Sequence, residues 1–368
     1  METTATASKP VPAPALSLWL HRLEAVFIPV AALMVGLGIF SLFLLAMGKS
    51  PVEFFSLVFK AAFGTTFSWK NTLSRVAPLL FAGLCVALPA RLGLVVIGGE
   101  GAIALGGLAA AVTGIWLANL PGLIGLPAMA IAAALMGGVW IGAVGLMRIK
   151  RGVNETIASL LMAYIAIALM NHLVEGLFRD PASLNKPSTA PLPEHLRIGD
   201  MPIGIDVHWG LGVGVLCCIL CWVLTDRTTI GFAARIAGDN IRAAQVQGLP
   251  VGTLVIGFTA LGGAMAGLAG YFEVAAIHGS ANASLVVGYG YTGILVAFLA
   301  GHNPLAIIPV AVLLAGFEAS SGLVQRRMDL PDATILVMQG IVFVTLLFSE
   351  TLYGRFKIFR PELWKESN

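Results

Sequence analysis

Apolar positions along this chain run in long unbroken stretches, and polar residues gather in the gaps between them. Ten stretches stand near residues 24–47, 76–97, 100–119, 126–147, 155–178, 208–225, 251–276, 286–301, 304–325 and 332–349. A helix needs about 20 apolar residues to cross a hydrocarbon core roughly 30 Å thick. The pattern therefore predicts an all-α polytopic membrane protein with about ten transmembrane helices. The eighth stretch is short, as a broken or re-entrant helix would be. A Pro/Ala-rich tail over 1–23 and a basic tail over 350–368 flank a transmembrane domain over 24–349. The first tail lacks a short apolar core followed by small residues, so no cleaved signal peptide is read from it.

One segment breaks the pattern. Residues 226–250 are polar and arginine-bearing, and Gly, Asp and Pro punctuate them as helix ends. Thr229 is expected to cap a short helix that Gly238 ends, and Asp239 a second that Gly248 and Pro250 end. Each would run about eight residues, roughly 12 Å, too short to span a bilayer. Two such helices lying at a membrane surface predict a docking face, with Gly231, Arg235, Gly238, Asp239, Asn240, Arg242 and Gly248 as its candidate residues.

Composition narrows the class. Charged residues make up 11% of the chain and mean hydropathy is +0.90, whereas a soluble domain carries about 25% charged residues. No basic run exceeds the triplet Arg148, Lys150 and Arg151, so no nucleic-acid partner is expected. With both termini inside, twelve Lys and Arg fall on inner segments against nine outside, a bias carried by that triplet and by Arg355, Lys357, Arg360 and Lys365. Cys218 and Cys221 form a CxxC within an apolar stretch that offers no second ligand pair, and read as soft apolar filler.

The chain also repeats itself. Gly99-Glu100-Gly101 matches Gly288-Tyr289-Gly290, Leu126-Pro127-Ala128 matches Ile308-Pro309-Val310, and Thr156-Ile157 matches Thr334-Ile335. Five spans per copy is an odd number, which predicts two inverted five-helix repeats with a pathway at their interface. Gly138 with Gly142 and Gly263 with Gly267 are GxxxG pairs that allow helix backbones to approach closely.

No enzyme chemistry stands out. Gly48-Lys49-Ser50 ends like a phosphate-binding loop, but Phe43 occupies the position of its first glycine. HExxH and GxSxG are absent, and the six histidines are scattered. No catalytic residue, metal or cofactor is expected. Ionisable and other polar groups at membrane depth are costly and mark functional candidates. They are Glu100 between its glycines, Asn171 and Glu175 on one helix face, Glu273, and Glu318 beside Ser320 and Ser321. For Glu100 a helix N-terminus is as good a partner as a ligand.

Four blocks resemble one family. RGVNETIASLLMAYIA (Arg151–Ala166), VIGGEG (Val96–Gly101), TTIGFAARIAGDNIRAAQVQG and GYGYTGILVAFLAGHNPLAII are similar to signatures of permease subunits of bacterial nucleoside-type ABC importers, within the ribose and branched-chain amino-acid permease group. The resemblance covers residues 76 to 349 and adds Asn154 and Glu155 to the pathway candidates. Ala102 and Ala163 depart from it, standing where glutamine and asparagine are usual, which puts a nucleoside cargo in question. It implies a multi-pass inner-membrane subunit, for which the lysine and arginine bias places both termini in the cytoplasm. Its partners would be an ATP-binding subunit docking at 226–250, a second permease, sibling or identical, and an external binding protein or lipoprotein. The implied cargo is a nucleoside or purine base. A simple sugar or branched-chain amino acid is the alternative within transport, and an ion-coupled secondary transporter the alternative outside it.

Overall fold

The computed structural model describes residues 15–202 and 206–350, with side chains from Phe27 to Ser349. The tail positions 1–14 and 351–368, with Lys9, Arg355, Lys357, Arg360 and Lys365, lie outside the described residues. Within them the chain is helical: α1 Ala15–Ala46, α2 Pro51–Phe63, α3 Thr66–Ala90, α4 Gly99–Trp116, α5 Gly122–Arg151, α6 Glu155–Glu175, α7 Gly210–Arg227, α8 Thr229–Asp239, α9 Ile241–Val246, α10 Val251–Phe272, α11 Tyr289–Leu299, α12 Pro304–Met328 and α13 Ala333–Glu350. Eight of these are long and apolar enough to cross a membrane: α1, α3, α4, α5, α6, α7, α10 continued to His278, and α12. α11 and α13 are shorter apolar helices. The protein is a multi-pass membrane protein.

Local chemistry sets the helix ends. Ser50 accepts from the Glu53 amide with Pro51 in the first turn of α2, and Asn303 accepts from the Leu305 amide with Pro304 in the first turn of α12. Gly152 closes α5 in a left-handed conformation, φ +66°, behind Arg148, Lys150 and Arg151 in the last turn.

The second apolar stretch corrects the sequence reading. Its helix runs from Thr66 to Ala90, not across 76–97, and residues 94–97 are non-helical. The early polar residues are satisfied within the protein: Ser68 donates to the Lys60 carbonyl and Thr72 to the Ala62 carbonyl at 2.8 Å. Hydropathy cannot see that compensation. Gly93, at φ +70°, turns the chain after the helix, so Arg91 stands at the helix end rather than inside a span.

The described residues fall into two compact units, 15–48 with 337–350, and those within 49–336. In the first, α1 and α13 touch closely, since a Cβ on Gly36 would stand 2.7 Å from Thr345 Oγ1. In the second, α10 lies between α4 and α5. A Cβ on Gly263 would meet the Gly137 carbonyl oxygen at 2.2 Å, one on Gly267 the Ala133 carbonyl oxygen at 2.1 Å, and one on Gly270 the Ile103 carbonyl oxygen at 2.1 Å. Without a hydrophobic drive between helices in lipid, such backbone proximity supplies the dispersion that holds them. Both GxxxG pairs lie in this crossing, with Gly138 and Gly142 against Ala260.

At its far end α10 widens into a π-helix, Glu273–His278, which Gly279 stops at φ +69°. The segment between α6 and α7 pairs onto this break: the Ile198 amide donates to the Ala275 carbonyl at 2.9 Å, and the Leu192 amide to the Gly279 carbonyl at 2.7 Å. The chain then re-enters as α11, only eleven residues long.

Candidate functional site

The polar segment forms two short helices, as read from the sequence, but with other caps. Thr228, not Thr229, caps α8 by accepting from the Gly231 amide at 3.2 Å. Asn240, not Asp239, caps α9 by accepting from the Ala243 amide at 3.0 Å. Both true caps sit one residue from the expected ones because their backbones are extended, as a cap requires. The lengths are eleven and six residues rather than about eight each. Gly238 does not end a helix; it lies inside the last turn of α8. There a Cβ would stand 2.5 Å from the Arg91 carbonyl oxygen and 3.1 Å from Leu92 Cα, so glycine is needed for close approach. Gly248 does end α9, at φ +77°.

Small residues hold the pair down and larger ones look out. Gly231, Ala234, Ala237 and Ala244 are buried, whereas Arg235, Asp239, Asn240 and Arg242 are exposed. Apolar Ile230, Phe232, Ile241 and Val246 are also exposed, Val246 to 89%. At the base, Asp226 accepts from Arg91 at 3.1 Å, from Arg235 at 3.2 Å and from the Thr225 hydroxyl at 2.8 Å. Burial pulls the Arg91 pKa down, Asp226 opposes that shift and Arg235 adds to it.

The other candidate region is the head of α11. Glu100, the second residue of α4, is 1% exposed. Its carboxylate accepts from the Gly288 amide at 2.7 Å and the Gly290 amide at 2.6 Å. A Cβ on Gly290 would stand 2.2 Å from the Glu100 nitrogen. The two glycine motifs matched in sequence are therefore in contact. Glu273 lies within electrostatic reach of Glu100; one of its oxygens is 3.3 Å from His278 Nε2, and the other is buried without a hydrogen-bond partner. Thr292 of α11 donates to Glu318 of α12 at 2.9 Å. Tyr289 is within electrostatic reach of Glu273, Glu318 and Arg75 of α3, and the Arg75 Nε is buried without a hydrogen-bond partner. Glu100, Glu273 and Glu318 thus gather around the short helix α11. A cavity of about 530 Å³, lined by Lys60, Asn71, Arg75, Ser321 and Arg326 among others, includes none of the three carboxylates and shares Arg75 with this group.

The remaining candidates lie elsewhere. Asn154 caps α6 by accepting from the Ile157 amide at 3.1 Å, and buried Glu155 pairs with Arg148. Asn171 is half-buried and Glu175 exposed at the end of α6, and neither lines that cavity. Ala102 and Ala163 are fully buried, Ala163 where a Cβ on Gly101 would come within 2.6 Å of its Cα. Sequence reasoning missed Arg75, Tyr289, Thr292 and Asp226. Arg75 carried a usable signal, a charge nine residues into a span-length helix, but the misplaced start of α3 hid it.

Comparison with known proteins gives these features a setting. A family model described as branched-chain amino acid transport system / permease component matches residues 68–347. The glucose ABC transporter permease protein of Haloferax volcanii is 31% identical over 342 residues, 90% of this chain and 89% of that one. The guanosine ABC transporter permease protein of Bacillus subtilis is 30% identical over 278 residues, 70% of this chain and 76% of that one. The nucleoside ABC transporter permease protein of Lactococcus lactis is 22% identical over 266 residues, covering 68% and 71%. Such a permease is a transport subunit, not an enzyme, and its family implies ATPase and binding-protein partners. This chain belongs to the branched-chain amino acid transport system / permease component family of ABC transporter permeases.

Proposed function

We propose that this permease imports a small hydroxylated solute, a nucleoside or a simple sugar, and that α8 and α9 dock its ATP-binding subunit. The observation that carries the reading is the form of that segment. Two helices too short to span a bilayer present Phe232 and Val246 outward beside Arg235 and Arg242, while Ala234, Ala237 and Ala244 pack inward and Gly238 lies against the end of α3. An exposed apolar patch rimmed by charge is the form of a protein-binding face.

On this reading the eight long helices with α11 and α13 make ten membrane elements, arranged as two inverted five-helix repeats with both termini cytoplasmic. Contact between the Glu100 and Gly290 motifs supports a repeat interface there, and the cargo path follows the head of α11 past Glu318 and Arg75. Asn171 contributes at most to an outer part of that path. A second permease, sibling or identical, completes the complex, and an external protein delivers the cargo. Relatives named for guanosine and nucleosides support one cargo, and the glucose relative, matching over 90% of the chain, supports a sugar as the second reading.

The docking face is tested by Gly238→Val. A branched Cβ pushes α8 off the end of α3, so uptake and cargo-stimulated ATP hydrolysis should fall together while membrane insertion stays normal. Intact activity in both assays contradicts the docking reading.

A further inference from the structure

We infer that Asp226 is the positioning residue that transmits motion of the docked α8–α9 segment to α3, and through α3 to the short helix α11. The inference rests on the docking reading and adds to it the route by which the movement enters the membrane domain.

The Asp226 carboxylate joins three elements. It lies in the last turn of α7, takes Arg91 at the end of α3 on one oxygen, and takes Arg235 of α8 on the other. Arg235 also donates to the Thr225 carbonyl at 3.3 Å, which fixes the angle of α8 against α7. Arg91 and Arg235 are like charges whose mutual repulsion the carboxylate between them offsets, so Asp226 sets their spacing as well as joining them. The side chains of Arg91 and Asp226 are 20% and 28% exposed, which makes the pair stronger than a fully solvated one. Steric contact runs in parallel: Gly238 of α8 lies against the Arg91 carbonyl and Leu92. α8 therefore pushes on α3 through backbone and pulls on it through Asp226.

From there α3 is engaged with the re-entrant helix. A Cβ on Gly293 of α11 would stand 2.5 Å from Ala82 Cβ, and one on Gly83 would stand 3.1 Å from both Val296 and Ile307. Ala82 lies nine residues before Arg91, which caps the C-terminus of α3 just after Pro89, about 13 Å along the helix axis. A helix joined at its capped end to the docking segment and packed at mid-length on α11 has the form of a lever between the two sites.

The test uses the whole complex, permease with its ATP-binding subunit, reconstituted in liposomes. Asp226→Ala, Asp226→Asn and Asp226→Glu are compared for subunit co-purification, ATP hydrolysis and cargo moved per ATP. The expected result for Asp226→Ala is retained co-purification, hydrolysis within roughly a factor of two of wild type, and cargo per ATP reduced roughly tenfold. Asp226→Glu should restore most of the ratio, which a fold defect would not allow. Asp226→Asn keeps the shape without the charge, and stands in for the alanine variant should that one fail to fold; its ratio should also fall. An unchanged cargo-per-ATP ratio in folded Asp226→Ala or Asp226→Asn overturns the inference and leaves the docking reading standing. Lost co-purification in a folded variant also overturns it, because Asp226 would then shape the docking face itself. Failure of the wild-type chain to retain the ATP-binding subunit overturns the docking reading instead.

Discussion

Glu100 and Gly290 lock two helix beginnings together: the Gly290 amide donates to the Glu100 carboxylate at 2.6 Å while the two backbones touch. The second oxygen takes the Gly288 amide at 2.7 Å, so one side chain satisfies two otherwise orphaned donors at the head of α11. Glu100 thus does for α11 what a capping side chain from its own sequence would do.

Glu100→Ala leaves the buried Gly290 amide and the half-buried Gly288 amide unpaired. Each hydrogen bond to a charged group contributes about 1.5–3 kcal/mol, so the variant should lose most of its folded yield in detergent. Glu100→Gln, which keeps an acceptor, should lose less. Fluorescence-detected size exclusion after heating measures both. Equal thermal stability of Glu100→Ala and wild type would remove the clamp from the account.

Gly267→Ile places a branched side chain where the Ala133 carbonyl oxygen would be 2.1 Å from its Cβ. Backbone cannot yield as a flexible side chain does, so α10 must leave α5, at a cost of about 3 kcal/mol or more. Expression of folded protein should collapse. Gly257→Ala, at a site with nothing within 4 Å of a Cβ, is the matched control and should be neutral.

His302 lies between α11 and α12, and burial first, then Arg91, lowers its pKa from 6.5. The folded state therefore binds fewer protons than the unfolded chain as pH drops through 6.5. His302 costs nothing above that pH and destabilises progressively below it. Replacing it with Gln should flatten the loss of thermal stability between neutral and mildly acid pH. An unaltered slope would mean that other groups carry the acid sensitivity.

Glu318→Gln should lower the maximal uptake rate roughly tenfold, about 1.4 kcal/mol, with little change in the half-saturating cargo concentration. With Cys85, Cys217, Cys218 and Cys221 replaced, a cysteine at 318 should react with a small water-soluble thiol reagent and be protected during cargo flux. Complete inertness in a transporting protein would remove Glu318 from the path.

Much of the helical pattern was legible because long apolar stretches have few readings, and the glycine pairs marked close helix packing without saying which helices cross. The misread elements are those where polarity is satisfied locally. Ser68 and Thr72 fold their hydroxyls onto the Lys60 and Ala62 carbonyls, which hid the start of α3. α2, Pro51–Phe63, was absent from the reading because thirteen residues fall below span length. The candidate site was legible as single residues and not as a constellation. Tyr289, Arg75 and Asp226 acquire meaning only when α3, α7, α8 and α11 are brought side by side, and that proximity has no signature in local sequence. Asn154 and Glu155 show the converse: a strong sequence block whose side chains cap a helix and pair with Arg148.

The energy source is the most direct test of the whole account. Permease and ATP-binding subunit reconstituted together should move labelled nucleoside or sugar when ATP is supplied on the side of α8 and α9, and initial uptake should be nearly unchanged when proton and sodium gradients are collapsed. Uptake by the permease alone, driven by an ion gradient without ATP, would contradict the account.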